Sequence, residues 1–573
     1  MGTLFSALDI GRAGMMVAQV QLDVAAHNIS NVNKEGFSRQ RVDLTTRLPN
    51  YLPSGALGRG PGVEGVRRLR DAFLDTTYRE QLPALGRTET AAQYFTRIED
   101  IFQEPSDNGF SSRMNVFFDA IQDFANNVEE LPVRVALLSE GEAMAGSLQQ
   151  VADQLFTLRT NANEEVRNMA SEINSLMERI AALNTNIRDA ELTGQTANDL
   201  RDDRDLLVDQ VSRLVKVTTR EREDGQVEVL MGGVQVVSGN RWRELKASVD
   251  SSLDPDRPDL LTVRFVDNDE AAVIADGELA GALEIRDIEL RRLEDRMDEV
   301  ARAIIGSINR IHSQAGGLQR YSAPIRSTNP VVNAFAPLND LAELPFDVND
   351  GSFDMVVYDN AGNVVETVTV PIVTTGSPPT WTTGADIEGA INASVNLTAS
   401  LNAQGILTIT PAAGRTFRFA NDTSGALAAL GLNGFFTGSR ASDIAVNQDL
   451  LDNPQLIGSG YSLDALNTGD NQAALDMAAA RSSKLLEGST QTPDEFYQST
   501  IVQVGISSRA NLDILDVERA FVQDFNRRRQ EVSGVSLDEE VTNLMQYQRA
   551  FEGAARVIQV ADRMLETLIG MLA

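Results

Sequence analysis

Both ends of this 573-residue chain carry apolar side chains at alternating steps of three and four, and this pattern limits the fold more than anything between. Leu4, Leu8, Gly11, Met15, Ala18, Leu22, Ala25 and Ile29 form a narrow seam on a helix of about 30 residues, roughly 45 Å long. Up to Lys34 the segment carries only Asp9, Asp23, Arg12 and Lys34, so it is nearly neutral. A helix with one narrow apolar stripe is not stable by itself in water. The C-terminus offers a match. Ser536 followed by Glu539 has the spacing of a capping box, and Asp538 to Glu540 set negative charge at a helix start. Val541, Leu544, Phe551, Ile558, Leu565, Leu568 and Leu572 then recur, with Ala554, Ala555 and Ala561 small enough for a close neighbour. The two end helices are expected to pair antiparallel or to pack among copies.

Further helices lie inside these ends. Val166, Met169, Ile173, Leu176, Ile180, Leu183, Ile187 and Ala190 keep the same spacing, and Leu200, Leu207, Val211 and Leu214 return after "LTGQTAND", which predicts a helical hairpin. An amphipathic run covers Leu283 to Ile311, and a helical pair is expected around Leu485 and Leu512 to Phe525. Two segments read differently. In 216–275, "QVEVLMGGVQVVSG" and "LLTVRFVDNDEAAVI" alternate as strands do, and in 331–444 "GSFDMVVYDNAGNVVETVTV", "GILTITP" and "RTFRFAND" do the same, with a loop at Pro378-Pro379. The expected fold is multidomain α+β: an end helix at 1–35 pairing with 535–573, a helical rod from 36–215 and 445–534, a β-rich insert at 216–275, a helical return at 276–330, and an outer β-rich module at 331–444.

Length supports several domains, since single cores rarely grow beyond roughly 250–300 residues. The net charge of −32 argues against nucleic acid and anionic membranes, where affinity comes from neutralised phosphates. With no cysteine and two histidines, thiolate chemistry, cysteine metal sites and disulfides are excluded. No run of 18 apolar residues occurs, and the first residues lack the basic start and cleavage site of a secretory signal. No catalytic, cofactor or metal residue is assigned. His27 is read as a packing residue, His312 as solvated or capping a helix end, the "RDDRD" at 201–205 as surface ion pairs, and "DVNDGSFD" at 347–354 as a strand-to-strand turn rather than a calcium loop.

The stretch "AAHNISNVNKEGFSRQ", 25–40, connects the first helix to the body of the chain. Asn28, Asn31 and Asn33 supply amides that both donate and accept, Gly36 permits a sharp turn, and Phe37 can anchor the chain, so the stretch reads as a hinge. It resembles the Asn-rich N-terminal motif of bacterial flagellar rod, hook and hook-associated axial proteins, and "SGVSLDEEVTNLMQYQRAFEGAARVI" resembles their C-terminal motif. Taken with "FSRQ" and the length, the likeness is to the hook-associated, FlgK-type members. His27 stands where Asn is common, Lys34 where Thr is common, and Ser536 where Asn is frequent.

That resemblance implies a structural role without catalysis. It implies export without a cleavable signal through the flagellar type III apparatus after binding a cytosolic chaperone. It implies self-assembly into a ring or short helical stack at the extracellular hook–filament junction, between the hook protein and the next hook-associated junction protein. The seam residues of both end helices would be the assembly interface, and the ends would order only on assembly. Two alternatives stay open: a distal rod or hook subunit, and a secreted wall-cutting hydrolase with axial-type ends.

Overall fold

The chain is described by a computed structural model covering residues 2–571, apart from 53–54, 103, 105, 107–108, 193, 339–343, 376–379 and 464–467. The expected loop at Pro378-Pro379 and the seam residue Leu572 therefore lie outside the described residues. No helix among those described is long and apolar enough to cross a membrane.

The N-terminal seam forms α1 (Gly2–Ser30). The next segment departs from the expected helical rod. Residues 40–68 are an antiparallel ribbon of β1 (Gln40–Thr46) and β4 (Pro61–Arg68), extended by the pair β2 (Asn50–Leu52) and β3 (Gly55–Leu57). Its cause is local. Val42 and Leu44 alternate with polar residues, Val63 and Val66 return in register, and the intervening Pro and Gly residues cannot continue a helix. Helices then dominate as α2 (Ala72–Phe102), α3 (Phe110–Asn126), α4 (Leu131–Glu191) and α5 (Asn198–Leu214).

The chain divides into two compact units. The first comprises 1–94, 161–286 and 509–573. In it, the second half of α4 and all of α5 lay Val166, Ile173, Ile180, Leu207 and Val211 against a small β module. That module holds a four-stranded antiparallel sheet of β5 (Val217–Glu221), β6 (Val227–Met231), β7 (Val234–Ser238) and β8 (Arg241–Trp242), beside the hairpin β9 (Leu245–Val249) and β10 (Leu261–Phe265). Leu279 and Ala282 of α6 (Glu278–Glu284) complete this core. A π-helical turn, Ile285–Leu290, leads on into α7 (Arg291–His312).

The second unit comprises 95–160 and 287–508. Its β module contains β11 (Ile325–Arg326), β12 (Gly351–Tyr358) and β13 (Val364–Ile372). Residues 384–392 form a helix, α8 (Gly384–Asn392), within the module expected to be β-rich. Its start carries a complete capping box between Thr383 and Asp386. β14 (Leu397–Leu401), β15 (Leu407–Pro411) and β16 (Thr416–Ala420) come next, giving sheets of order β13-β12-β16 and β11-β15-β14 around a core that includes Phe353, Met355, Ile387, Phe417 and Phe419. The short helix α9 (Ala426–Leu430) closes that core. Beyond it come β17 (Phe436–Thr437), β18 (Ala445–Val446), α10 (Gln448–Asp452) and α11 (Gln472–Ala479). The helix expected around Leu485 is absent: Leu485 belongs to a tight turn closed by Leu486 and Gln491. The chain ends with α12 (Pro493–Ser533) and α13 (Leu537–Gly570).

His312 also differs from its expected solvated position. It is fully buried, because it continues the apolar face of α7 beyond Ile304, Ile305 and Ile308. Its Nδ1 lies 2.8 Å from the Asn433 carbonyl, and Nε2 accepts from the Gly458 N–H at 2.9 Å. Burial pushes the imidazole down to about 4, with Arg134 adding to the effect.

Candidate assembly site

In the first unit α1 and α13 pack antiparallel along each other. Gly11 lies so close to α13 that a Cβ there would stand 2.9 Å from Ile558 Cγ1 and 3.4 Å from the Ala554 carbonyl oxygen. Gly14 adjoins Ala554, and at the far end Asn28 meets Glu540. Ala13, Val17, Ala18, Ala25 and Ala561 are the buried apolar residues of the two helices, so mostly small side chains set the separation. Leu8, Met15, Leu22 and Ile29 on α1, and Leu544, Phe551, Ile558 and Leu565 on α13, are part-buried. Leu4 and Leu568 belong to the same two helices. In the single chain the two tails meet each other. Val541 departs from the seam and is 47% exposed. It shares the outside of α13 with Met545, Val560 and Met564, while Phe5 and Met16 are exposed on α1.

The Asn-rich stretch ties this pair to the ribbon. Asn28, 1% exposed, still lies within α1. Its Nδ2 donates to the Gln40 carbonyl at 2.9 Å and to Glu540 Oε2 at 3.1 Å, and its Oδ1 accepts from the Gln40 N–H at 3.0 Å. Donor and acceptor of this buried amide are thus both engaged. Arg39 donates from Nε to Glu540 Oε1 at 2.7 Å and from Nη1 to Glu539 Oε2 at 2.8 Å. Asn31 Nδ2 caps the His27 carbonyl at 3.0 Å, closing the last turn of α1, whereas Asn33 is exposed. Gly36 adopts φ +77°, and a Cβ there would come within 3.1 Å of Leu206 Cβ. Phe37 sets its ring edge-on to His27, with centroids 5.5 Å apart. Ser536 occupies the N-cap of α13, yet its side chain makes no capping bond. The expected capping box does not form, because Glu539 is turned toward Arg39.

Sequence reasoning missed a buried charge cluster. Asp202, Asp205 and Asp209 share one face of α5, and the first two are buried rather than on the surface as "RDDRD" suggested. Asp202 accepts from the Ser38 N–H at 2.8 Å and from its hydroxyl at 2.7 Å. Arg68 reaches Asp202 at 2.8 Å and Asp205 at 2.9 Å, and Arg70 bridges Asp205 and Asp75, each at 2.8 Å. Arg79 pairs with Asp209 at 2.6 Å, while Arg529 of α12 reaches Asp75 at 2.8 Å and Asp209 at 3.0 Å. Burial alone would push the Asp205 carboxyl up. Arg70, Arg79, Arg68 and Arg204 reverse this and hold it well below the usual carboxylate range. The cluster joins the root of the ribbon to α2, α5 and α12. Apart from Arg70 and Asp75, its partners lie more than a hundred residues apart, so no local pattern announces it.

The chain has known relatives. Residues 95–321 match the family model described as the flagellar hook-associated protein FlgK helical domain. Residues 527–571 match the C-terminal model of flagellar basal body rod FlgEFG proteins. Flagellar hook-associated protein 1 of Bacillus subtilis is 24% identical over 583 aligned positions, covering 99% of this chain and 98% of the relative. The proteins of that name from Salmonella typhimurium and Escherichia coli are each 25% identical, covering 99% of this chain and all of theirs. Among solved structures, the flagellar hook junction protein FlgK from Burkholderia pseudomallei shares the fold, with a TM-score of 0.50 at 18% identity over 79% of this chain and 100% of that one. From its helical body to both ends, the chain is similar to the flagellar hook-associated proteins of the FlgK type.

Proposed function

We propose that this chain is a structural axial protein of the bacterial flagellum, without catalysis, that assembles at the hook tip and forms the junction between hook and filament. The observation that carries this reading is the α1–α13 pair. It presents Phe5, Met16, Val541, Met545, Val560 and Met564 to solvent along one helical element, while the Asn28–Arg39–Glu540 knot fixes that element to the rest of its unit. Exposed apolar rows of this extent mark interaction surfaces. Copies of the chain stacking through the paired end helices would cover them. The hook protein below and the next junction protein above are the partners this position requires. A cytosolic export chaperone and the flagellar type III apparatus would carry the chain out of the cell. The domain limits expected from the sequence, with the β modules turned outward from the tube, belong to the same proposal. The assembly interface then consists of the outer residues of the helix pair, with the inner seam from Leu8 to Ile29 and Leu544 to Leu565 holding the pair together.

Electron microscopy of a strain lacking the gene tests this. Intact hooks without attached filaments, and filament subunit released into the medium, are expected. Missing hooks or rods would move the chain to another position on the axis, and normal filaments would refute the proposal.

A further inference from the structure

The ribbon at 40–68 is covered on too little of its surface to be stable on its own account. A two-stranded hairpin in water is marginal unless a face is packed. Here the root is held by Asn28 and Asp202, and Gly60 rests on α1 with Ile10 and Ala13 beneath it, while Arg59 reaches Asp9 at 3.4 Å. Away from those contacts the ribbon is bare. The cross-strand pair Leu44 and Val63 is exposed, Leu48 is 86% exposed and Tyr51 is 84% exposed.

Charge gives the occupant. Residues 39–70 hold seven arginines against Asp43 and Glu64, so the segment carries +5 while the whole chain carries −32, leaving −37 on the remainder. Arg39, Arg68 and Arg70 are taken up at the root. Arg41 and Arg67 stand directly opposite each other in the ladder and, among the described residues, share the single carboxylate of Asp43, an arrangement that is unfavourable until more negative charge arrives. Arg47 is exposed and has no carboxylate within ion-pair distance among the described residues. Basic and apolar side chains therefore lie together on the exposed ribbon of an otherwise acidic molecule.

We propose that the outer part of this ribbon is a docking arm, and that its occupant is the acidic surface of a second copy of this chain. Tyr51 and Leu48 would supply the apolar anchor, and Arg41, Arg47 and Arg67 would supply the attraction and its salt dependence. The inference rests on the proposed assembly role and adds the surface through which neighbouring copies grip each other.

The absence of cysteine makes the test clean. Leu48→Cys and Tyr51→Cys variants, each labelled with a maleimide photo-crosslinker, are irradiated in isolated flagella and in dilute solution. Thermal unfolding of each variant should match the parent, because both side chains stand in solvent. The expected product in flagella is an adduct of two copies of this chain, absent from dilute monomer. Arg41→Glu with Arg47→Glu should lower its yield roughly tenfold, the scale on which a hot-spot contact acts, and added salt should lower it too. If the chain is present in flagella but both positions crosslink only to a different protein, or to nothing, the docking arm is refuted and the junction role stands. If the chain is missing from flagella, the junction role itself fails and the arm fails with it.

Discussion

Gly11→Ala examines the antiparallel helix pair at its tightest point. The new methyl would stand 2.9 Å from Ile558 Cγ1, with Val557 Cγ1 and the Ala554 carbonyl oxygen each at 3.4 Å. The first distance is too short to exist without movement, and the backbone oxygen leaves little room for retreat. Overpacking of this kind costs about 1–3 kcal/mol. Helix propensity works in the other direction, since alanine is favoured over glycine by about 1 kcal/mol in a helix interior. The net expectation is a pair weakened by roughly 0–2 kcal/mol. Gly553→Ala is the matched control: it lies within α13 with nothing near its Cβ position, so only the propensity gain of about 1 kcal/mol remains. The variants should thus differ by about 1–3 kcal/mol in opposite senses. Amide hydrogen exchange of α1 in the isolated chain reads local opening directly, and about 1.4 kcal/mol appears as about a tenfold change in protection. Ile558→Ala removes the clashing Cγ1, so the double variant should recover part of the loss, with a coupling of about 1 kcal/mol. Should Gly11→Ala raise protection as Gly553→Ala does, with no coupling to Ile558, the two helices are not packed in the monomer and the account of the site is wrong.

Glu540→Ala strips Asn28 and Arg39 of their shared carboxylate, and a loss of about 1–3 kcal/mol is expected in the protection of α1 and β1. Asp205→Asn leaves Arg68, Arg70 and Arg79 short of a buried counter-charge, and should destabilise the first unit by about 3 kcal/mol or more in urea titrations; an unchanged midpoint would contradict the cluster. His312 gives the second unit an acid-side slope. Because its folded value lies near 4 and its ordinary value is 6.5, the unfolded chain takes up the proton first. Its contribution is therefore complete above pH 6.5 and is lost as pH falls toward 4, by about 3 kcal/mol in all. His312→Gln should flatten that slope in denaturation curves measured across this range, and an unaltered slope would assign it elsewhere.

The long helices could be read from the sequence because each presents one apolar stripe at helical spacing, which α4, α7 and α13 all do. The strands of both β modules announced themselves by alternation. What escaped was set by distant partners. Nothing near "RDDRD" indicates that Arg68, Arg70, Arg79 and Arg529 will converge on it. The ribbon was legible in principle, since Val42 and Leu44 face Val66 and Val63 in register, but it fell inside the segment expected to be helical rod. His312 lies four residues beyond Ile308, a spacing that already placed it on the inner face. Gly11 was seen only as a position in a stripe and Gly14 was not singled out, although both lie against α13.

The bond between Asn28 and Glu540 closes a loop of 512 residues. Bringing such distant ends together costs on the order of 5–6 kcal/mol in chain entropy if nothing between them is folded, and far less once the intervening body has formed. A chain emerging with its N-terminus first therefore has no α13 for α1 to pack against until the last segment arrives. Closure of that pair requires the chain through α13, and a molecule terminated before that helix would be left with its first helix open.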